Sequence, residues 1–249
     1  MGYFNIELKP TLTGQNCVTA FANGDLLADW EIKTVPTKKP FRVLGTTCVM
    51  RGTNGASQAA LFELVFASTN EDGTAPGSLG TVNATIDGTG FFKHLNGIYQ
   101  VANTNDTIDT VNVSTVDNTD GNSLDILVIE PSRVINVNGI EGFDGTGVNG
   151  KICIGVLHTS GDADFGAGVI ADGDISVGDT SLTVKTISAL NTFAVGDVLS
   201  DNGGATVGTI SAINSATSIT LASGATEAVA DDDELCNVNP VTFIIHCEY

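Results

Sequence analysis

The sequence has few of the residues on which catalysis usually rests. Its 249 residues include three histidines, one tryptophan, three tyrosines and two methionines. There is no Walker loop, no G-x-S-x-G elbow and no HExxH pair, so the common nucleotide, hydrolase and zinc-protease signatures are missing. His94, His158 and His246 are too far apart for any two to share metal-ligand spacing. His158 precedes Asp162 and Asp164 and is expected to be a strand-end histidine beside solvated acids. A Ser-His-Asp triad needs its members only to meet in space, and nothing in the sequence points to one. Positive charge is also scarce. Ten Lys and Arg stand against 29 Asp and Glu, a net charge of −19. Such a polyanion repels DNA, RNA and anionic lipid, so neither a nucleic-acid nor a membrane partner is expected. No run approaches the roughly 18–20 apolar residues that span a bilayer. The opening Met1-Gly2-Tyr3-Phe4-Asn5-Ile6-Glu7 has no basic segment and no apolar core, which predicts no secretory leader. Ile6 stands where a myristoylation signal carries Ser or Thr.

The five cysteines are odd in number, widely spaced and without a CxxC pair, which argues against a zinc ribbon. Cys48, Cys153 and Cys247 lie inside apolar runs, as free thiols acting as small hydrophobes do. That use suits a reducing cytoplasm. No cofactor and no metal is expected.

What is present reads as strands and turns. The chain is 42% hydrophobic, far too apolar for a disordered acidic tail, and it contains 29 glycines. Strand-like runs cover 41–50, 61–67, 91–92, 97–101, 107–116, 124–129, 134–137 and 151–158, separated by turn clusters such as Arg51-Gly52-Thr53-Asn54-Gly55. Phe62, Leu64 and Phe66 share one parity, which favours a strand over a helical turn. This spacing predicts an all-β fold with a β-sandwich or jelly-roll-like main domain. Near residue 165 the texture changes, and from about Gly168 to Leu235 the chain is Ala, Gly, Ser, Thr, Val, Ile and Asp, with one aromatic, Phe193. Short strands are expected at 181–187, 196–200, 206–213 and 218–221. Val195-Gly196-Asp197 and its echo Val177-Gly178-Asp179 suit a turn into a strand, with Gly taking the tight bend and Asp capping amides. The bulkier run Val241–Cys247 resembles the first region again. The expected organisation is therefore a main domain of residues 1–167 plus 237–249, with an inserted small β-barrel-like module at 168–236.

Charge is also divided along the chain. Residues 1–51 hold six of the ten basic residues against four acids, whereas 152–249 hold Lys185 alone against thirteen acids. Asp231-Asp232-Asp233-Glu234 is the densest acidic run. Gly145-Thr146-Gly147-Val148-Asn149-Gly150 fits G-x-G-x-x-G, but a strand-like run follows where a dinucleotide site needs a helix, so it reads as a turn. The Asp117–Asp125 segment, and Asp162-Ala163-Asp164 with Asp172-Gly173-Asp174, are oxygen-rich turns without EF-hand spacing. Three N-x-[ST] matches, at Asn83, Asn105 and Asn112, are expected by chance in an Asn- and Thr-rich chain.

Two stretches carry a resemblance. Val49–Gly55, Phe62–Ala67, Gly73–Gly80 and Asp87–Gly90 together resemble head-associated structural proteins of tailed bacteriophages. Segment 177–235, with Phe193–Leu199 and Val207–Ile213 leading into Ala216–Leu221, is similar to a small β module that recurs in phage structural proteins. The resemblance implies a non-enzymatic virion protein assembled in the host bacterial cytoplasm. More narrowly, it implies a capsid decoration (cement) protein on the capsid exterior. It would bind the major capsid protein, bridge capsomers and form a homo-oligomer, with a trimer the first guess. The less acidic N-terminal part would dock through Lys33, Lys38, Lys39 and Arg42, while the module projects outward. The alternatives are a tail, neck or fibre component, a host-surface or glycan-binding module using Trp30 or Phe193, and a tail-associated hydrolase.

Overall fold

In a computed structural model the chain is nearly all β, and the strands of its described residues pair antiparallel. The structure describes the chain apart from residues 1, 13, 18, 37–40, 52–59, 102–105, 109–110, 117–123, 127–149, 160–164, 166–168 and 186–188. The first part contains β1 (Tyr3–Leu8), β2 (Leu26–Val35), β3 (Phe41–Arg51), β4 (Phe62–Ala67), β5 (Leu95–Val101), β6 (Asp106–Ile108), β7 (Val111–Val116), β8 (Leu124–Ile126) and β9 (Gly150–His158). Then come β10 (Val169–Ile170), β11 (Ser181–Thr183), a single helical turn α1 (Ala189–Thr192), β12 (Val198–Asp201), β13 (Thr206–Ser215) and β14 (Ser218–Leu221). The last strands are β15 (Glu234–Asn237) and β16 (Val241–Glu248).

Two sheets make a sandwich. One runs β1-β16-β3-β7-β6, with β8 also on β3, and the other runs β2-β9-β4-β5. Alternation decides which side chains face inward. In β16, Val241, Phe243, Ile245 and Cys247 are buried, while Thr242, Ile244, His246 and Glu248 face out. Phe243 meets Phe62 of the opposite sheet edge-to-face, centroids 5.1 Å apart. Ile152, Ile154 and Val156 of β9 and Tyr99 of β5 complete the same core. Burial of each such side chain contributes about 1.5–3 kcal/mol.

Residues 169–235 have a core of their own, built from Val169, Leu182, Phe193, Leu199, Val207, Ile210, Ile219 and Leu235 among others. Their sheet runs β10-β15-β12-β13-β14-β11. An Ala171–Val184 bridge then joins β11 back to β10, with Asp172 N–H donating to Thr183 C=O at 2.9 Å and Lys185 N–H to Ile170 C=O at 3.0 Å. This bridge brings the two ends of the sheet together in the manner of a small barrel.

The turn echoed in the sequence occurs at four places among the described residues. In Ser176–Asp179 and Ala194–Asp197 the Asp N–H donates to the C=O three residues back, at 3.0 and 3.1 Å. The Asp carboxylate returns to accept that same residue's N–H, at 2.8 Å in both. Ala22–Asp25 and Ala230–Asp233 repeat both bonds. The third residue has φ of +92° at Gly24, +97° at Gly178, +95° at Gly196 and +75° at Asp232. Each turn leads into a strand: β2, β11, β12 and β15 in chain order. The expected strand at 91–92 is instead a 3-10 turn over Phe92–His94, with Phe91 at its start. Phe91 is needed as a core residue of the covering loop, which takes the backbone out of the sheet.

A candidate docking face on the sandwich

The outer face of the β2-β9-β4-β5 sheet exposes Ile32, Leu95 and Ile98, while Tyr3, Tyr249, Val177 and Val195 are exposed elsewhere. Register sets Ile32, Cys153, Ala67 and Leu95 in one row across the four strands. The next row places Gly155, Val65 and Ile98 together. By simple alternation Leu95 and Ile98 would point to opposite faces. A bulge between Phe66 and Ala67 leaves Asn96 as the extra residue and returns both to the outer side. Ser68 and Asn96 hydrogen-bond side chain to side chain across that bulge.

Loop 68–94 covers the middle of this face. Leu79 and Phe91 are buried there with Leu26, against Trp30 and Ile86. The loop approaches so closely that a Cβ on Gly155 would lie 2.2 Å from Leu79 Cδ1. Asp29 anchors the loop by accepting the Leu79 N–H at 2.8 Å and the Ser78 hydroxyl at 2.6 Å. Where the loop ends, Phe92 is 61% exposed, Ile98 53% and Leu95 38%. Trp30, Phe91 and Phe92 form a row of rings with centroids 5.5 and 4.7 Å apart. Lys93 is exposed beside them and has no ion-pair partner among the described residues.

The cations expected to dock are placed differently from one another. Lys33 on β2 is paired with Glu31 at 2.7 Å, and Arg42 on β3 with Glu248 at 3.5 Å. Lys38 and Lys39 lie outside the described residues. Lys33 and Arg42 are thus brought into ion pairs of their own chain, on strands of different sheets. The exposed residues Phe92, Lys93, Leu95 and Ile98 were missed because Phe91-Phe92 reads as core strand. The signal available was the basic Lys93-His94 pair directly after two aromatics.

Trp30 and Phe193, the aromatics considered for a glycan, are not offered as platforms. Trp30 packs edge-on against Phe91, and Phe193 is buried in the barrel core. His158 ends β9, as expected of a strand-end histidine, and is fully buried, with Nδ1 3.2 Å from Ala22 C=O and its ring against Phe62. Asp162 and Asp164 lie outside the described residues, as do most of the G-x-G-x-x-G match and residues 117–123. His246 bridges three strands, with Nε2 3.0 Å from Thr47 Oγ1 and Nδ1 3.0 Å from Asn5 Oδ1.

The barrel presents the opposite electrostatics. Residues 168–236 hold ten acids and one lysine, Lys185. Lys185 binds Asp231 at 2.5 Å and Asp232 at 2.7 Å, which raises its pKa. The Lys185 hydrogen bond, then the Gly173 amide, holds the Asp231 carboxyl below the usual carboxylate range. Asp174 accepts the Asp231 N–H at 2.9 Å, so these acids are engaged with internal donors. Among the described residues no three His, Cys, Asp or Glu side chains come together as a metal site. Burial pushes the thiols of Cys48, Cys153 and Cys247 up to about 12, which keeps them protonated and unreactive at neutral pH.

A cavity of about 290 Å³ lies between barrel and sandwich, bordered by Glu7, Lys9, Asp197, Asn237 and Thr242. It belongs to the joint that fixes the two cores together. Val238 N–H donates to Val198 C=O at 2.9 Å, and Leu12 N–H donates to Val238 C=O at 2.8 Å. The Asn239 amide reaches Pro10 C=O at 3.0 Å and Thr11 Oγ1 at 3.2 Å.

No family model matches the chain, and no curated protein matches it. Solved structures similar to it include VP2 in the subviral particle of infectious bursal disease virus, at 10% identity and a TM-score of 0.27 over 98% of this chain and 36% of that one. Another is the T13 viral particle of the same virus, at 11% identity and a TM-score of 0.25 over 98% and 39%. The chain spans little more than a third of the length of these structures, and the scores do not define a shared fold. Among the described residues no helix is long and apolar enough to cross a membrane.

Proposed function

We propose that this protein is a non-enzymatic structural component of a virus particle, a decoration (cement) protein on the capsid exterior of a tailed bacteriophage. In this reading it assembles in the host cytoplasm, binds the major capsid protein, bridges capsomers and works as a homo-oligomer. The segment 168–236 is an inserted module facing away from the shell. The observation that carries the reading is the division of the surface. The sandwich exposes Phe92, Leu95 and Ile98 with Lys93, which pairs with no described residue, whereas the barrel region holds ten acids against Lys185 and exposes only the two turn valines Val177 and Val195 among its described large apolar side chains. A shell coat needs one face that adheres and another that keeps particles soluble and mutually repelling. The sequence resemblance to phage head proteins supports the same reading. With a charge of −19 the chain suits the outside of a shell better than contact with packaged DNA. Cryo-EM of the intact particle tests this. Many copies at symmetry-related capsomer junctions are expected, with the sandwich against the shell. A few copies at one vertex or on the tail would replace the reading with a tail, neck or fibre role.

A further inference from the structure

We propose that Asn202 is a self-modifying site. It converts through a succinimide to isoaspartate ahead of the other described Asn-Gly pairs, and the product loosens the contact of the barrel on the sandwich. The inference is independent of the decoration reading. Asn-Gly occurs six times in the sequence, and both residues are described in three of these pairs: Asn23-Gly24, Asn96-Gly97 and Asn202-Gly203. Glycine leaves its own nitrogen the least hindered path to the preceding Asn Cγ, because it has no Cβ. That local chemistry is the same in all three pairs, so the fold decides which one reacts.

The Gly203 nitrogen gives its proton to hydroxide and forms a bond to Asn202 Cγ. The Cγ–Nδ2 bond breaks, and the nitrogen leaves as ammonia. Water then opens the five-membered ring at one carbonyl to give aspartate, or at the other to give isoaspartate. In isoaspartate the main chain runs through Cγ and is one methylene longer. The step needs a backbone nitrogen that is not held elsewhere. Gly24 N–H donates to the carbonyl of buried His158 at 2.8 Å. The Asn96 carboxamide is tied to Ser68 Oγ through Oδ1 at 3.4 Å and Nδ2 at 3.2 Å, and Gly97 stands in β5 opposite Phe66 of β4. Asn202-Gly203 lies instead at the tip between β12 and β13. Gly203 is exposed, and its N–H donates to no described group. The tip is fixed on either side of that amide. Asp201 C=O accepts the Gly204 N–H at 3.2 Å, and Asp201 Oδ1 accepts the Ala205 N–H at 2.8 Å.

The product matters because the tip is also a contact. Gly14 begins the 3-10 turn Gly14–Cys17 between β1 and β2. A Cβ there would lie 3.4 Å from Gly204 Cα and 3.6 Å from the Gly203 carbonyl oxygen, so barrel and sandwich meet backbone to backbone. An added main-chain methylene directly before Gly203 has no rotamer to escape into, and it pushes the tip against Gly14.

The test ages the purified full-length protein at mildly alkaline pH, where more of the amide is deprotonated, and follows each Asn-Gly peptide by mass spectrometry. The Asn202 peptide should gain one dalton at least about tenfold faster than the Asn23 and Asn96 peptides, whose held groups must first open. Amide exchange in the aged fraction should quicken around 198–206 and around Gly14. Asn202→Gln should abolish both changes, and freshly purified Asn202→Asp, which has the new charge without the added methylene, should exchange like the parent. If Asn23 or Asn96 converts as fast as Asn202, or if none of the three converts, the site assignment is wrong. If Asn202 converts while exchange stays unchanged, or if fresh Asn202→Asp is already loosened, the added main-chain length is not what acts on the joint.

Discussion

The sandwich and the barrel share a turn but fill their interiors differently. Ala22–Asp25 introduces a sandwich strand with the same two hydrogen bonds that introduce three barrel strands. Yet the sandwich core holds Phe21, Phe62, Phe66, Phe243 and Tyr99, while the barrel core holds Val, Leu, Ile and Ala around Phe193. Two facing sheets stand about 10 Å apart and need long side chains to meet across that gap. Short strands wrapped in the manner of a small barrel have little interior, which β-branched and small residues already fill. The change of composition near residue 165 is thus a change of enclosure geometry. It carries no message about chemistry, and the functional contrast lies on the two surfaces.

The sharpest way to test whether these are two cores is to damage each. Phe243→Ala removes the ring that meets Phe62 across the sandwich and should cost about 3–5 kcal/mol. Leu199→Ala in the barrel should cost about 2–5 kcal/mol. Amide exchange of the full chain reads where each loss falls. The first should speed exchange in β3 and β16 ahead of β13 and β14, and the second the reverse. Equal acceleration everywhere in both variants would mean a single cooperative unit coupled through Val238 and Asn239.

A smaller change confined to the barrel probes how tightly it closes. A Cβ on Gly224 would lie 2.5 Å from the Gly178 carbonyl oxygen, a backbone atom with no rotamer to escape into. Gly224→Ala should therefore destabilise the barrel by about 1–3 kcal/mol, seen as faster exchange around Gly178 with the sandwich unaffected. Below this in size come the shared turns. Asp197→Ala and Asp25→Ala each remove a carboxylate that accepts a backbone N–H, and each should cost about 1 kcal/mol by denaturant melting. Similar losses in the two regions would establish the turn as one interchangeable device. A loss in the barrel alone would show that the sandwich strand is aligned by its neighbours instead.

How far the sequence could be read follows the same contrast. Strands with aromatics on one parity, such as Phe62–Ala67 and Val241–Glu248, are legible because alternation and bulk coincide. β1 and β2 were not, since Tyr3–Leu8 and Leu26–Val35 mix charges and apolar residues at bulged, partly covered edges. Val177-Gly178-Asp179 and Val195-Gly196-Asp197 were recognisable as one turn. Ala230–Asp233 was hidden because Asp232 occupies the glycine position. The exposed apolar residues Phe92, Leu95 and Ile98 were the least legible. Their exposure depends on a bulge at Asn96 and on where a covering loop stops, and neither is written in local pattern.

Acid should separate the regions only slightly. Asp231 has a depressed folded-state pKa, caused first by Lys185, so its stabilising contribution is present above the unfolded value of 3.8 and is lost as pH falls through the folded one. Asp72, held down by Thr74, behaves alike in the loop over the sandwich. Both are solvent-exposed, so the loss below about pH 4 should be modest. Exchange near Gly173 should respond in the parent and not in Asp231→Asn. A response of equal size in that variant would assign the acid effect to other carboxylates.

The smallest expected effect is also the most specific to the turn. Asp232 has φ of +75°, where its three counterparts are glycine. A side chain in that left-handed region costs about 1 kcal/mol, and glycine's extra freedom in the unfolded chain takes back most of the gain. Asp232 also pairs with Lys185 at 2.7 Å, but that pair is exposed and Lys185 keeps Asp231. Asp232→Gly should therefore be neutral to stabilising by about 0.5 kcal/mol, measured as a shift in denaturant midpoint. Asp232→Ala has no glycine freedom and no short polar group to ease the bend, so it should be less stable than the parent. If Ala were tolerated as well as Gly, the turn at 230–233 would not depend on its left-handed residue. Its likeness to the three Gly-Asp turns would then lie in hydrogen bonding alone.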